Sequence, residues 1–529
     1  MSLFEAPPVE PGPEENIPAA IARHAAVQPD GLALICGEER LTWAVFNARV
    51  NRVANGLLAA GLKKGDNVAA LARNSSAYMT IFFGTLRAGG CIVPLSTMAA
   101  PEALQRMIVD SASRLLFLSD EMRPLVAGFE SGLSGLLPGG RIAIDFAAEG
   151  WRDFSEWRDG MAADDPGVAI AHDDPFNIIY SSGTTGVPKG ILISHGVRMH
   201  IGAAVGAMGY DQPTVTILST PLYSNTTIVP LLAAMAFGGT TVLMRKFDID
   251  GYLGLVEAER CTHTMLVPVQ YHRIMQHPGF DRYDLSSMQV KLSTSAPLRA
   301  GLKRDILDRF PGLMIEFYGL TEGGGGAMLN CSEFPDKLDS VGQPGLGTEL
   351  KIVDPDGNEL PQGEIGEIVA RSPSMMRGYF GRDDLTEAML WRDGEGKVYF
   401  RSGDAGRLDE DGFLFLSDRL KDMIISGGFN IYATDLELVL TEHPGVDDVA
   451  VIGVPSEEWG ETPLALVVRG PGAKDREAEI LAWANERLGK TQRLSAVEFR
   501  EHLPRSSIGK VLKRELRQDY LQSHEDAVA

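Results

Sequence analysis

The chain has 529 residues, which predicts several domains and not one continuous core. It is 44% hydrophobic and 23% charged, a balance typical of globular proteins that excludes the disordered and fibrous classes. With 49 basic and 71 acidic side chains the formal net charge is −22, which argues against nucleic acid or an anionic membrane surface as a partner.

The four cysteines are widely spaced, and no CxxC or Cys/His cluster occurs in the sequence. We therefore expect neither a disulfide framework nor a structural zinc site. The first 16 residues are acidic and Pro-rich and lack the basic and apolar regions of a secretory signal. Together these features predict a cytoplasmic location.

From about residue 41 to residue 317, short apolar runs alternate with helix-length amphipathic segments. This rhythm predicts parallel β-sheet with crossover helices, divided between two packed α/β subdomains. Helices are expected at 196–206 and 299–310, among others. The expected strands are 68–72, 92–95, 115–119, 176–180, 191–194, 215–220, 240–244, 264–268 and 290–294.

Residues 212–244 carry no charged side chain, which raises the alternative of a membrane span. Three prolines and the polar run at 224–227 interrupt the segment. A buried part of an α/β core explains it better, and no transmembrane segment is expected.

The pattern changes after Cys331, where Asp-Gly turns separate short alternating strands, including the MMRGYF segment at 375–380. This favours an antiparallel β subdomain or small barrel. From about residue 420, a tail of roughly 110 residues mixes helices at 435–442 and 476–488 with further strands, which indicates a separate α+β domain.

A ten-residue loop, SSGTTGVPKG at 181–190, separates two of the predicted strands. Its glycines permit close backbone approach, and its hydroxyls, N–H groups and lysine suit a polyphosphate. The spacing differs from that of the P-loop NTPases, and a plain surface turn is the alternative. The candidate phosphate ligands are Ser181, Ser182, Gly183, Thr184, Thr185, Gly186 and Lys189.

This loop resembles the signature of the adenylate-forming superfamily of acyl-CoA synthetases, peptide-synthetase adenylation domains and beetle luciferases, and the chain is most like the AMP-forming acyl-CoA synthetases. Further segments resemble family motifs in the family's order. They are LRAGGCIVPL (86–95), STSAPL (293–298), YGLTE (318–322), SGD (402–404), DRLKD (418–422), ISGG (425–428) and PRSSIGK (504–510).

The resemblance implies an α/β fold: a large N-terminal domain of two α/β subdomains plus a small β-barrel-like subdomain, and a small mobile α+β C-terminal domain. The expected boundaries are 1–418 for the N-terminal domain, which would bind ATP and the acid, 419–422 for the hinge, and 423–529 for the lid.

For the nucleotide, the resemblance implies that Thr321 donates to the α-phosphate and that Glu322 binds Mg²⁺. Tyr318 would stack on adenine. Taken alone, a Tyr at a strand end is more often core packing. The remaining nucleotide-binding residues implied by the motifs are Gly319, then Ser295, Ala296 and Pro297 at the base, and Asp404 and Arg419 at the ribose, with Gly319 given no separate role.

By the same resemblance, Lys510 is the catalytic lysine of adenylation and Lys421 is the hinge residue. Rotation about the hinge would withdraw Lys510 and bring Ser426, Gly427 and Gly428 to the CoA tunnel. Taken alone, a C-terminal lysine is usually a solvated charge.

The acyl pocket implied by the resemblance comprises Tyr223, Ser224, Asn225, Gly323 and Gly324. Ser224 stands where many acyl-CoA synthetases carry His, and the glycines would leave room for a bulky acid. Because no Lys or Arg lies in this stretch, a hydrophobic fatty or aryl acid is expected, with medium or long chains favoured among the fatty acids.

The sequence therefore predicts an AMP-forming carboxylate–CoA ligase that uses ATP, Mg²⁺ and coenzyme A. The alternatives are a stand-alone adenylation enzyme that loads a carrier-protein phosphopantetheine, and a regulatory nucleotide-binding protein without catalysis. A homodimer, and a lysine acetyltransferase acting on Lys510, are the macromolecular partners considered.

Overall fold

Four β-sheets and the helices packed on them make up the described chain. The computed structural model describes residues 15–181, 189–210, 214–323, 326–419, 422–426, 429–456, 459–489, 492–506 and 509–525.

Strands and helices alternate up to residue 318. The strands are β1 (Leu32–Cys36), β2 (Glu39–Thr42), β3 (Asn67–Leu71), β4 (Cys91–Pro94), β5 (Leu115–Leu118), β6 (Arg141–Ala143), β7 (Arg152–Asp153), β8 (Pro175–Ser181), β9 (Lys189–Ser194), β10 (Val215–Leu218), β11 (Thr240–Leu243), β12 (His263–Leu266), β13 (Val290–Ser293) and β14 (Leu313–Tyr318). The helices are α1 (Ile17–Val27), α2 (Trp43–Ala59), α3 (Ser76–Arg87), α4 (Pro101–Asp110), α5 (Arg123–Val126), α6 (Phe154–Asp159), α7 (His195–Gly206), α8 (Asn225–Phe237), α9 (Ile249–Ala258), α10 (Pro268–Met275) and α11 (Ala300–Arg309).

Strands predominate after residue 326. They are β15 (Ala327–Asn330), β16 (Gln343–Pro344), β17 (Glu349–Val353), β18 (Gly366–Arg371), β19 (Gly378–Tyr379), β20 (Leu390–Arg392), β21 (Val398–Leu408), β22 (Leu414–Arg419), β23 (Ile424–Ser426), β24 (Phe429–Ile431), β25 (Val446–Ser456), β26 (Gly460–Arg469) and β27 (Ala496–Phe499). The helices are α12 (Asp383–Ala388), α13 (Ala433–Thr441), α14 (Glu477–Asn485) and α15 (Lys513–Glu525).

Two large sheets form the N-terminal part. Sheet one has the strand order β16-β15-β14-β13-β12-β10-β11-β1-β2, and sheet two has the order β19-β9-β8-β4-β3-β5-β6-β7. Their central strands run parallel, as do β6 and β7 at one end of sheet two. The other three ends, formed by β2, by β15 and β16, and by β9 and β19, are antiparallel. The predicted parallel sheets in two α/β subdomains are confirmed.

Helices fill the space between the two large sheets. One core cluster joins Phe46 of α2, Phe82 of α3 and Leu231 of α8 to Ile92 of sheet two and Leu218 of sheet one. Because each sheet buries an apolar face against the same helices, the two sheets are held as neighbours by a shared core.

Helix α8 forms the central part of the uncharged segment at 212–244. Its residues are buried nearly all round, which explains the absence of charge. The helix ends at Gly238, whose φ of 78° is left-handed and whose missing Cβ would lie 2.5 Å from His24 Nδ1. Across the described ranges, no helix has the length and apolar character needed to cross a membrane.

The predicted antiparallel subdomain is a third sheet of β17, β18, β21, β20 and β22. The MMRGYF segment departs from that expectation, because its Gly378–Tyr379 strand pairs with β9 of sheet two and not with the third sheet. Turn spacing cannot reveal this crossing, since the partner strand lies nearly 190 residues away in the sequence.

The C-terminal domain is built on a fourth sheet of β24, β23, β26, β25 and β27, with its own buried cores on both faces. The predicted hinge at 419–422 lies between β22 and β23, and residues 420 and 421 are outside the described ranges. The overall architecture confirms the predicted α/β fold class with a small α+β domain.

Candidate active site

Several predicted functional segments meet at one edge of sheet one. Strands β10, β12, β13 and β14 run parallel, so the residues that follow them lie side by side. Open α/β sheets bind ligands at this carboxyl edge. The segments at 219–225, 294–299 and 319–323 all begin there.

Tyr318 and Asp404, two predicted nucleotide residues separated by 86 positions, are in direct contact. The Tyr318 hydroxyl donates to Asp404 Oδ2 at 2.9 Å, and Asp404 is 8% exposed. The Asp404 backbone N–H in turn donates to Ser402 Oγ at 3.0 Å. In the strand register Asp404 lies opposite Arg419, so the third sheet brings the two predicted ribose residues to the end of β14.

The loop after β13 holds a strained residue. Ser295 has a φ of 81°, a left-handed conformation that is unusual for a residue other than glycine. Its hydroxyl is hydrogen-bonded to the hydroxyl of Thr226, in the first turn of α8, at 2.8 Å. This contact ties the predicted adenine loop to the helix that begins at the predicted acyl pocket. Ala296 is half-buried and Pro297 is exposed in the same loop.

A buried ion pair is hydrogen-bonded to the backbone of that loop. Glu316 Oε1 accepts a hydrogen bond from the Leu298 N–H at 2.8 Å, and Lys303 Nζ lies 2.5 Å from Glu316 Oε2. Both charged side chains are only 2% exposed. Lys303 also donates to the carbonyl oxygens of Leu338 and Ser340, so the pair connects three segments around the site.

We expect the Lys303→Met substitution to destabilise the fold by about 3–5 kcal/mol, because it leaves the Glu316 carboxylate buried without its cation. Urea denaturation of the large domain measures the change. The Lys303→Met, Glu316→Leu double variant should recover most of the loss, since neither charge is then buried. A single variant as stable as the parent protein would contradict this role.

The structure places Glu322 in the turn after β14, half-buried beside Thr321, while Gly319 is exposed. Its Oε1 accepts a hydrogen bond from the Tyr379 hydroxyl at 3.1 Å. The described residues contain no group of three or more His, Cys, Asp or Glu that could hold a metal by themselves. One carboxylate fits Mg²⁺, which commonly takes one or two protein carboxylates and completes its shell with phosphate and water.

Lys189 begins β9, directly after the predicted phosphate loop. Its Nζ lies 5.1 Å from the centre of the Tyr379 ring, a cation–π contact. The loop residues Ser182, Gly183, Thr184, Thr185 and Gly186 lie outside the described ranges, and of Ser181 only the backbone, at the end of β8, is described. Tyr379, which contacts both Lys189 and Glu322, was missed by the sequence analysis.

The predicted acyl-pocket residues cluster at the start of α8. Tyr223 and Ser224 are each 7% exposed, and the Ser224 side chain caps the helix by accepting from the Thr226 N–H. A Cβ on Gly323, which has a φ of 74°, would lie 1.8 Å from the Ser374 carbonyl oxygen. Close backbone packing is therefore a second reason for this glycine, beside the room for substrate considered above. Gly324 is outside the described ranges.

Helix α7 supplies a buried cation that the pocket stretch itself lacks. Arg198 is 1% exposed; its Nε donates to Asn177 Oδ1 at 2.8 Å and its Nη2 to Asn225 Oδ1 at 2.9 Å. Burial lowers the pKa of Arg198 to about 9. Within the described chain no carboxylate forms an ion pair with it. Two amide oxygens accept from the guanidinium, whose Cζ also lies 5.9 Å from the centre of the Phe176 ring. Sequence spacing gives no sign of this contact.

The loop that carries Lys510 lies against the large domain. A Cβ on Gly509 would be 2.7 Å from Val269 Cγ1, in the first turn of α10 at the carboxyl edge of sheet one. Arg505 shapes the loop, because it donates to the Gly509 carbonyl at 2.7 Å and pairs with Asp448. Lys510 itself is half-buried. The structure thus brings the predicted catalytic lysine to the same edge as the predicted adenine loop.

The remaining predicted residues belong to the hinge region. Ser426 is half-buried at the end of β23 and pairs with Gly460. The Arg419 side chain is not described, and Lys421, Gly427 and Gly428 lie outside the described ranges.

The fold, and the candidate site at the carboxyl edge of sheet one, are those of a known class of enzyme. The family model for AMP-binding enzymes matches residues 21–380, and the model for the AMP-binding enzyme C-terminal domain matches residues 435–510. The chain belongs to the AMP-binding, adenylate-forming enzymes, in the acid–CoA ligase branch.

The regions of similarity to known proteins cover nearly the whole chain. A feruloyl-CoA synthase of an Amycolatopsis species is 36% identical, covering 94% of this chain and 98% of that protein. A fatty acid–[acyl-carrier-protein] ligase of Streptomyces coeruleorubidus is 31% identical, covering 93% and 94%. The crystal structure of ATP-bound MatB from Rhodopseudomonas palustris superposes with a TM-score of 0.85 at 30% identity, covering 96% and 99% of the two chains.

Proposed function

We propose that the protein ligates a hydrophobic carboxylic acid, aryl or fatty, to coenzyme A in two steps at the carboxyl edge of sheet one. In the first, a carboxylate oxygen attacks the α-phosphorus of ATP, and the bond to the pyrophosphate oxygen breaks. In the second, the thiol sulfur of CoA attacks the acyl carbon, AMP leaves, and the thiol proton is lost to solvent. The observation that carries this proposal is that the Lys510 loop docks on Val269, at the same sheet edge that holds the Tyr318–Asp404 pair.

The nucleotide would lie along the segments that follow β13 and β14. Asp404 would accept from the ribose hydroxyls together with Arg419, and Tyr318, held by its bond to Asp404, would present its ring to adenine beside the 295–297 loop. The 182–188 loop and Lys189 would donate to the β- and γ-phosphates. Preorganised donors of this kind stabilise the charge that develops during adenylation.

Mg²⁺, when bound, neutralises phosphate charge and orients the phosphates. Glu322 would hold it with one carboxylate oxygen, and Thr321 would donate to the α-phosphate. Lys510 would bridge the attacking carboxylate and the α-phosphate, two anions that otherwise repel each other. Its position on a separate domain suits a charge needed in the first step alone.

The decisive experiment is a panel of acids of varied length and shape, assayed for AMP formation with and without CoA. We expect CoA-dependent AMP release together with an acyl-CoA product. Transfer to a holo-carrier protein in preference to CoA would instead support the alternative of a carrier-loading enzyme, which the similarity to the Streptomyces ligase keeps open. Absence of pyrophosphate release with every acid would contradict both.

Within the acids, we favour an aryl acid whose ring carries a hydrogen-bonding oxygen. A guanidinium group has donors only, so the Asn225 amide must turn its oxygen toward Arg198 and its NH₂ group away. A fixed NH₂ donor at the start of α8 would suit a phenol or ether oxygen and offers nothing to an alkyl chain. The similarity to a feruloyl-CoA synthase supports the same class.

We predict that Arg198→Met lowers the preference for 4-hydroxycinnamate over octanoate by about tenfold, because the Asn225 amide loses the partner that orients it; tenfold corresponds to about 1.4 kcal/mol. The ratio of kcat/KM for the two acids measures the change. Arg198→Lys, which keeps a donor and the charge, should retain part of the preference. An unchanged ratio in Arg198→Met would show that the arginine has a packing role alone.

A further inference from the structure

Tyr379 contacts two groups of opposite charge, one assigned to the metal ion and the other to the phosphates by the proposed function. Its hydroxyl donates to Glu322, the candidate metal ligand, at 3.1 Å, and the face of its ring receives the ammonium of Lys189, the candidate phosphate ligand, at 5.1 Å. The side chain is 4% exposed. One buried residue therefore contacts both a cation and a carboxylate of the site.

Main-chain pairing of β19 with β9 holds Tyr379 in this position. Strand β19 is antiparallel to β9, with Tyr379 opposite Ile191 and Gly378 opposite Leu192. The Phe380 N–H donates to the Gly190 carbonyl at 2.7 Å, next to Lys189. Strand β19 thus continues the hydrogen-bonded sheet up to the residue that follows the phosphate loop.

The same segment also fixes the main chain of Glu322. The Met376 N–H donates to the Glu322 carbonyl at 2.8 Å, and Ser372 Oγ donates to the Gly323 carbonyl at 2.7 Å. Residues 372–380 therefore connect the turn after β14 of sheet one to β9 of sheet two. Since Glu322 and Lys189 belong to different sheets, this connection sets the distance between them.

The chemistry of the contacts is complementary. A tyrosine hydroxyl is protonated at neutral pH and can donate to a carboxylate oxygen. A hydrogen bond to one carboxylate oxygen fixes the plane of the Glu322 carboxylate and leaves the second oxygen to a ligand. The ammonium of Lys189 contacts the ring face and the carboxylate of Glu322 contacts the hydroxyl, so each charge has its own partner on Tyr379.

We propose that Tyr379 is a positioning residue, which aims Glu322 at the metal through its hydroxyl and Lys189 at the triphosphate through its ring. This inference rests on the proposed function for the tasks of those two groups. It adds a residue that touches neither substrate nor metal and acts through both ligands.

The test compares Tyr379→Phe with Tyr379→Leu. The first removes the hydroxyl and keeps the ring; the second removes both. Tyr399→Phe is the matched control, because the buried Tyr399 also donates its hydroxyl to a carboxylate, Glu349, at 2.9 Å in the third sheet. Mn²⁺ binding is measured by the electron paramagnetic resonance of the free ion, with ATP present and the acid absent.

We expect Tyr379→Phe to raise the half-saturating Mn²⁺ concentration about tenfold, as loss of a partner of a metal ligand commonly does. Tyr399→Phe should leave it unchanged. Tyr379→Leu should raise in addition the KM for ATP, because Lys189 loses the ring. Thioester formation from supplied acyl-adenylate should remain at the parent rate in Tyr379→Phe, which a general folding defect would not allow.

Parental Mn²⁺ binding in Tyr379→Phe would overturn the proposal, as would equal weakening in Tyr399→Phe. The proposed function fails on a different observation, the absence of adenylate formation with every acid, and the Mn²⁺ titration does not depend on that result. The two failures are therefore distinguishable.

Discussion

Replacing Lys510 with alanine is expected to lower the rate of acyl-adenylate formation by about 10²–10³-fold, the effect of removing one preorganised donor from a developing charge. The docking of Gly509 on Val269 brings this lysine to the carboxyl edge of sheet one, where the adenine loop and Glu322 also lie. Pyrophosphate release in a single turnover measures the loss.

The same variant should convert supplied acyl-adenylate to thioester at nearly the parental rate, because the charge serves the first step alone. Lys474→Ala is the control, since Lys474 is an exposed lysine in the turn after β26 of the same domain. It should leave both steps unchanged. Equal loss of both steps in Lys510→Ala would mean that the lysine is structural or serves both.

The substitution Lys421→Pro should retain most acyl-adenylate formation and lose most thioester synthesis, by about 10²-fold if one hinge carries the rotation. With the Gly509 loop docked at the edge, the C-terminal domain would be arranged for the first step of the proposed reaction. The segment at 426–428 would need a rotation between β22 and β23 to replace that loop. Proline fixes φ near −65° and removes an N–H, which restricts such a rotation.

Lys421 itself lies outside the described residues, so this prediction rests on its place between Arg419 and Ile424 and on the hinge motif. Lys421→Ala is the matched control, because it removes the same side chain and leaves φ free. Stopped-flow measurement of each half-reaction separates the two steps. Both steps slowed alike in the proline variant, or neither slowed, would place the rotation elsewhere.

Much of the site could be found from the sequence because it consists of short contiguous motifs. The YGLTE and STSAPL segments were identified by their resemblance to family motifs, and the structure places them at the ends of β14 and β13. Asp404 and Tyr318 are 86 residues apart; both were predicted to bind the nucleotide, but the hydrogen bond between them was not predicted.

Other contacts could not be inferred in this way. The Thr226–Ser295 bond, the Lys303–Glu316 pair and the Arg198–Asn225 bond each join side chains of different elements. Of these six residues, only Ser295 and Asn225 were predicted site residues. The spacing of apolar residues predicts which face of a helix or strand is buried. It does not predict which polar side chains of other elements contact that face.

The sequence by itself determined the α/β strands and helices, the two-domain order and the positions of the nucleotide motifs, since each depends on local periodicity or on contiguous residues. The tertiary structure decided that β19 crosses to sheet two, that Tyr379 contacts both Lys189 and Glu322, and that a buried Arg198 binds the side chain of Asn225. The physical reason is that these contacts depend on how two sheets pack around shared helices, which brings together residues far apart in the chain.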